Sequence, residues 1–170
     1  MNDQTTTPFD PDVFMNQTID QPLAEDYTLC PEGEYPAIID DFDRSAFRTN
    51  QFVYKQGPNQ GLPGAMTTFN IPWVIQDERA KQALSRDKVV VYQPIILDFD
   101  SNGGLDFGVN KNVNLGKVRK ALNQNQPGAW SVAQLKSQGP CMVRVVHREI
   151  ELKDKTKRKL AEVDRVVPIR

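Results

Sequence analysis

Apolar and polar side chains alternate along CMVRVVHREI, residues 141–150, and again along LAEVDRVV, residues 160–167. A period of two is typical of a strand with one buried face, so we predict two strands joined by a turn. Cations crowd the turn, with only Asp154 to offset them; they are Lys153, Lys155, Lys157, Arg158 and Lys159. Such a turn repels itself unless an anionic partner lies against it. Lysines that keep an edge strand from pairing wrongly are the alternative interpretation.

The charges of the chain are divided along its length. Residues 1–43 contain eleven Asp and Glu and no Lys or Arg. Because the whole chain has 21 basic and 22 acidic residues, residues 44–170 hold 21 bases and 11 acids. The formal net charge of −1 therefore conceals an acidic first quarter and a basic remainder, which favours an anionic ligand for the latter.

Length and composition indicate one domain with an appendage. A chain of 170 residues is long enough to bury a core without a metal or a disulfide. Cys30 and Cys141 form no short motif, which favours a reducing compartment. No apolar run approaches the length of a membrane helix, and no signal peptide is evident. We expect a protein of the cytoplasm that contacts no membrane.

The first segment, residues 1–31, is predicted to be a mobile acidic tail. It is polar and contains four prolines, so it cannot bury enough surface to offset the entropy of ordering. Phe9, Val13 and Phe14 are spaced to lie on one side of a helical turn. We predict that these three residues dock on a partner or on the body of the protein.

Residues 32–170 are predicted to form a domain built mainly of strands. The first three strands are predicted at residues 34–42, 66–76 and 88–99. In the second, Phe69, Ile71, Trp73 and Ile75 share one face, which favours a core position for Trp73. The third is apolar on both faces, which predicts a place near the middle of the fold.

Helices are predicted in the connections. Asp77 begins a short helix that extends to residue 85, and a capped amphipathic helix begins at Asn114. A further helical piece is expected within residues 130–137. Three strands, a helix and two strands follow the order of an OB-fold, so we predict a mainly β protein with a five-stranded OB-like Greek-key barrel and a helix between strands 3 and 4.

Several segments resemble a known family. They are FDPDVFMN at residues 9–16, PEGEYPAII at 31–39, LDFG at 105–108, NLGKVR at 114–119 and AEVDRV at 161–166. Together they resemble tailed-phage single-stranded-DNA-binding proteins of the replication and recombination region. The resemblance implies an OB-like barrel in a bacterial host's cytoplasm that coats single-stranded DNA without catalysis. Familiar members recruit partners through an acidic C-terminal tail, whereas the acidic segment here is N-terminal; it is the candidate docking segment for replication or recombination proteins.

A single-strand interface needs cations along the backbone path and flat rings on which bases stack. Two segments supply such groups: residues 44–55, where cations alternate with aromatics, and the hairpin of residues 141–167. Arg144 and Arg148 are predicted to share one strand face. The candidate nucleic-acid-binding residues are Arg44, Phe47, Arg48, Phe52, Tyr54, Lys55, Arg144, Arg148, Lys153, Lys155, Lys157, Arg158 and Lys159. For Phe47, Phe52 and Tyr54 core packing is the alternative.

Enzyme classes are poorly supported. One histidine excludes a His-based metal cluster, and no phosphate-binding glycine loop is present. Asp98, Asp100 and Asp106 would supply the carboxylates of a metal-dependent nuclease, but their spacing equally fits a turn. We therefore expect no catalytic residue, no metal and no cofactor. The rival function is a protein-interaction module, such as a virion component or an inhibitor of a host protein.

Overall fold

The structure is a computed structural model, and residues 9–24 and 27–169 are described. Within these residues the chain forms six strands: Gly33–Ile39 (β1), Phe47–Val53 (β2), Pro63–Ile75 (β3), Val89–Leu97 (β4), Cys141–Glu151 (β5) and Lys157–Pro168 (β6). The helices are Pro11–Met15 (α1), Glu78–Leu84 (α2) and Val113–Ala121 (α3), with 3-10 turns at Arg44–Ala46 and Val132–Leu135. The prediction of a mainly β protein is confirmed.

The strands form one mixed sheet in the order β1-β5-β6-β4-β3-β2. β1 is paired along both of its edges, with β5 through Gly33–Ala37 and with β3 through Ala37–Ile39. All neighbours are antiparallel except β4 and β6, which pair in parallel at Tyr92 and Glu162. The helix α3 lies between β4 and β5 in the chain, as predicted.

The predicted number of five strands is wrong, because residues 47–53 form a sixth. This strand, β2, pairs along its whole length with the first half of β3. Its residues 48–53 are exposed and follow no alternation of apolar and polar side chains, so the sequence gives no strand signal. The strand depends instead on its pairing with β3, which begins at Pro63 rather than near Met66.

The core lies on the inner face of the sheet and includes Phe69, Ile71, Trp73 and Ile75, as predicted. The indole N–H of the fully buried Trp73 donates to the amide oxygen of Gln93 at 3.0 Å, which satisfies both groups. From α3, Leu115 and Val118 are buried against the same cluster.

The strand predicted at residues 88–99 lies between two neighbours in the sheet, but it is buried on one face only, although its sequence is apolar on both. β4 alternates strictly, with Val89, Val91, Gln93, Ile95 and Leu97 buried and the residues between them open or partly open to solvent. The outer side chains include Tyr92 and Ile96, each more than half exposed. Apolar residues on an open sheet face mark a surface available to a ligand or partner.

Local hydrogen bonds define the helices and the long loop between β4 and α3. Asp77 caps α2 by accepting from the backbone N–H groups of Arg79 and Ala80, as its sequence position predicts. The side chain of Asn112 bonds to the backbone of Asp98 and of Asp106, which ties the two ends of the loop together directly before α3.

Candidate nucleic-acid interface

The strand register collects several of the predicted residues on one side of the sheet, which we call the outer face. Residues directly opposite each other in paired strands project to the same face. Pro72, Tyr92, Glu162 and Val146 form one such row across β3, β4, β6 and β5. The same parity places Arg48 and Phe52 of β2 on this face.

The hairpin of β5 and β6 extends the outer face on its other side. Arg148 lies opposite Leu160, and Ile150 lies opposite Arg158, in the same alternation as Val146 and Glu162. Arg144 shares this parity with Arg148, as the sequence predicts, and a bulge places Asp164 beside it. Lys157 and Lys159 lie opposite Glu151 and Glu149 on the reverse side of the hairpin.

A groove of about 760 Å³ runs along the outer face. Its floor contains Asn70, Pro72 and Tyr92, and segment 40–46 together with Arg48 forms its wall. Tyr92 is 54% exposed, so its ring is open to a flat ligand. Sequence reasoning missed Tyr92 because it treated both faces of β4 as buried; the polar hydroxyl among valines and isoleucines was the available signal.

Acidic side chains also line the groove, and each has a partner. Asp40 forms an ion pair with Lys88 at 2.6 Å, and Asp41 accepts from the hydroxyl of Ser137. Asp43 begins the 3-10 turn by accepting from the backbone N–H of Ser45. Hydrogen bonds from Ser45, and more weakly the charge of Lys136, hold the pKa of Asp43 below its usual value. These carboxylates are therefore engaged in shaping the wall.

Phe52 and Tyr54 form an exposed aromatic pair near the loop that joins β2 to β3. Their ring centroids are 5.0 Å apart in an edge-to-face arrangement. Both rings cross Gly64, where an added Cβ would lie 2.7 Å from Phe52 and 2.8 Å from Tyr54. Because residue 64 is glycine, the two rings can pack directly over its backbone. Their other surfaces are exposed to solvent.

Phe47 lies on the opposite side of β2 from Phe52. Its ring stacks on the buried Phe69 with centroids 4.5 Å apart and planes 10° apart, and Phe42 packs on Phe69 from another direction. The ring of Phe47 is thus packed against the core. Core packing was the alternative to base stacking that the sequence left open for this residue. The flanking cations Arg44 and Lys55 are exposed at the two ends of the segment.

Three of the predicted cations in the hairpin of β5 and β6 are paired with acids. Arg144 donates to Asp164 through two nitrogens, which lowers the pKa of Asp164. Arg148 contacts the largely buried Glu162 at 2.6 Å, and Lys157 contacts Glu149 at 3.0 Å. These pairs reduce the positive charge that the strands present.

The remaining four cations are Lys153, Lys155, Arg158 and Lys159, all exposed. No carboxylate of the described residues lies within 4.0 Å of their charged nitrogens. The guanidinium of Arg158 lies 5.8 Å from the ring centre of Tyr27. Within the turn, Asp154 accepts from the backbone N–H and the hydroxyl of Thr156, so it shapes the loop beside these cations. This tip is the part of the hairpin best able to meet a polyanion.

The end of the predicted tail is attached to β5. Cys30 is buried in the core cluster, and its carbonyl oxygen lies 2.9 Å from Nε2 of His147. The backbone N–H of His147 donates to Glu32. Burial raises the pKa of the Cys30 thiol to about 11. A deletion meant to remove only the tail should therefore stop before Tyr27. Further upstream, the predicted docking residues are exposed: Val13 and Phe14 lie in α1, and Phe9 directly precedes its N-cap.

No family model, characterised protein or solved structure matched this chain. Among the described residues there is no helix long and apolar enough to cross a membrane. The same residues contain no cluster of three or more metal-ligating side chains.

The three loop aspartates considered for a nuclease accept hydrogen bonds from the backbone of the loop. Asp100 accepts from the backbone N–H groups of Asn102 and Gly104, and Asp106 accepts from that of Gly108. Asp98 accepts from the backbone of Asn112. The bonds of Asp100 and Asp106 are local, as is usual for aspartate in turns, whereas that of Asp98 joins the two ends of the loop.

Proposed function

We propose that this chain is a non-catalytic single-stranded-DNA-binding protein of phage replication or recombination, acting in the cytoplasm of a bacterial host. One set of observations carries the proposal: exposed rings and cations without a carboxylate partner in the described chain lie on the outer face, on the arm formed by β2, and at the tip of the β5-β6 hairpin. Base stacking on such rings contributes roughly 1 to 3 kcal/mol per base, and the cations neutralise the backbone with little sequence preference.

The strand pairings support an OB-like barrel as the scaffold. Since β1 pairs with both β3 and β5, the pairings β1-β3-β4-β6-β5-β1 return to their start. This is a five-strand circuit with α3 between its third and fourth strands, the order of an OB-fold. OB-folds commonly bind oligonucleotides on strands 2 and 3 of the barrel and with the loops that join strands 1–2 and 4–5. In this chain, strands 2 and 3 of the barrel correspond to β3 and β4. The loop that joins strands 1 and 2 corresponds to residues 40–62, which contain β2, and the loop that joins strands 4 and 5 corresponds to the turn at residues 152–156.

In this mechanism the protein coats single-stranded DNA in stoichiometric amounts and catalyses no reaction. It sequesters the strand against nucleases and re-annealing through backbone neutralisation and stacking. Replication or recombination proteins are the proposed partners of the acidic N-terminal segment.

The test is a titration of fluorescent oligo-dT and of the matching duplex at two salt concentrations. We expect tight, salt-dependent binding of the single strand and much weaker binding of the duplex, because only unpaired bases can stack on the outer face. Absence of single-strand binding at low salt would refute the proposal and favour a protein-docking role for the cationic tip.

The ring of Tyr92, in the floor of the groove, is expected to contribute directly to the binding of single-stranded DNA. Replacing Tyr92 with alanine should weaken oligo-dT binding by about 5- to 150-fold, which corresponds to the loss of one stacked base at roughly 1 to 3 kcal/mol. Tyr92→Phe is the matched control and should bind almost as tightly as the unchanged protein, because it keeps the ring. Equal losses in both variants would show that the hydroxyl, rather than stacking, matters.

A further inference from the structure

The helix α1 is a short acidic segment that exposes aromatic side chains. Phe9 and Phe14 contact each other with ring centroids 5.7 Å apart, yet they are 75% and 54% exposed. Asp10 caps the helix by accepting from the backbone N–H groups of Asp12 and Val13. Apolar residues clustered on a helical turn between carboxylates are typical of a segment that docks in a groove.

A second pocket, of about 410 Å³, lies beside α3 and away from the groove on the outer face. Leu105, Phe107, Trp130 and Val132 supply apolar walls, and Arg119 supplies a cation. The guanidinium of Arg119 lies 4.1 Å from the centre of the Trp130 ring, where a cation–π contact holds it. Phe107 is 88% exposed at the rim.

The charge around this pocket complements that of α1. Residues 107–136, which supply most of the pocket lining, contain five Lys and Arg and no Asp or Glu, whereas residues 1–43 contain no Lys or Arg. Lys117 and Lys120 are exposed on α3 near Arg119. Two acids of the preceding loop are engaged locally, Asp98 with Lys111 and Asp106 with the backbone of Gly108. The pocket therefore suits an aromatic side chain flanked by carboxylates.

We propose that α1 of one copy of this protein docks in the pocket beside α3 of a second copy. Docking within one chain is disfavoured because α1 is exposed and the pocket is open in the same structure. The contact is heterologous: each copy offers one helix and one pocket, so copies associate head to tail and the assembly can extend. The contact itself needs no DNA; its use in cooperative coating of a strand rests on the proposed function.

The test measures the mass of the full-length protein by light scattering and sedimentation without DNA, from about 10 μM to about 1 mM, the range expected of a small contact. The mean mass should rise with concentration. Asp12→Lys should lower the association constant at least about 10-fold by placing a cation against a cationic pocket, and Lys117→Glu in the same chain should restore part of it. Asp20→Lys, with the same charge change outside α1, is the matched control and should associate normally.

Two further variants decide whether the contact is head to tail. Phe14→Lys disables the helix and Phe107→Asp disables the pocket, and both side chains are exposed enough to leave the fold intact. Each variant alone should remain monomeric, while an equimolar mixture should form a dimer and nothing larger. A monomeric unchanged protein, a monomeric mixture, or association that persists in both single variants would overturn the proposal. None of these outcomes depends on DNA binding, so they are separable from failure of the proposed function.

Discussion

Replacing Lys153, Lys155, Arg158 and Lys159 with alanine will weaken oligo-dT binding by about 10²- to 10³-fold at about 50 mM salt, because each phosphate contact of a single strand releases counterions. The slope of log affinity against log salt concentration should become shallower by about 0.7 per lost contact, or about 3 in all. These four cations are selected because they are exposed and have no carboxylate partner in the described chain.

The control removes the same charge elsewhere. Alanine at Arg79, Lys81, Arg86 and Lys111 changes the net charge equally at positions on α2, after it and in the loop before α3. This variant should keep the salt slope of the unchanged protein. If both variants lose affinity alike and the slope is constant, the effect is one of overall charge and the tip lies outside the interface.

Replacing Trp73 with alanine will lower the free energy of unfolding by about 3 to 5 kcal/mol, measured by urea denaturation. The indole is fully buried in the inner layer, so its removal leaves a cavity among well-packed neighbours. It also deprives the buried amide of Gln93 of its donor. Since small domains have only about 5 to 15 kcal/mol of stability, the variant should be close to unfolding at room temperature.

The same substitution at Trp130, whose indole is partly exposed, serves as the control for Trp73→Ala. Its ring packs against Arg119, and its N–H donates to Gln124 in a surface loop. Trp130→Ala should cost less than half as much free energy, because the loop can relax and water can replace the hydrogen bond. Equal losses of unfolding free energy in the two variants would contradict the prediction that the buried face of β3 contributes more to stability than the loop around Trp130.

Prediction from the sequence succeeded where burial has a period. The alternation at the start of residues 141–150 and the shared phase of Phe69, Ile71 and Trp73 follow from one buried sheet face, whereas along residues 160–167 a β-bulge interrupts the alternation. Prediction failed at β2, because a strand that is exposed on both faces has no hydrophobic period. It also failed for the outer face of β4, since apolar residues there resemble core residues in sequence.

The candidate site could be predicted in part. The cations of the tip and the rings of Phe52 and Tyr54 are recognisable from residue type and local crowding. The contacts between these side chains and others are not recognisable, because they join residues that are distant in sequence. Nothing local indicates that Arg144 pairs with Asp164 and Arg148 with Glu162. The stacking of Phe47 on Phe69 is equally hidden. Tyr92 and the groove became visible only when the register placed β3, β4 and β6 side by side.

The arm formed by β2 and the first residues of β3 has a consequence for the dynamics of the molecule. Beyond Phe47 it buries no core side chain, so β2 can separate from β3 while the rest of the sheet stays folded. Regions with few buried contacts have the lowest free energies of local opening, and their amides exchange fastest with solvent. The rings of Phe52 and Tyr54 therefore belong to an arm that we expect to open locally while the core stays folded.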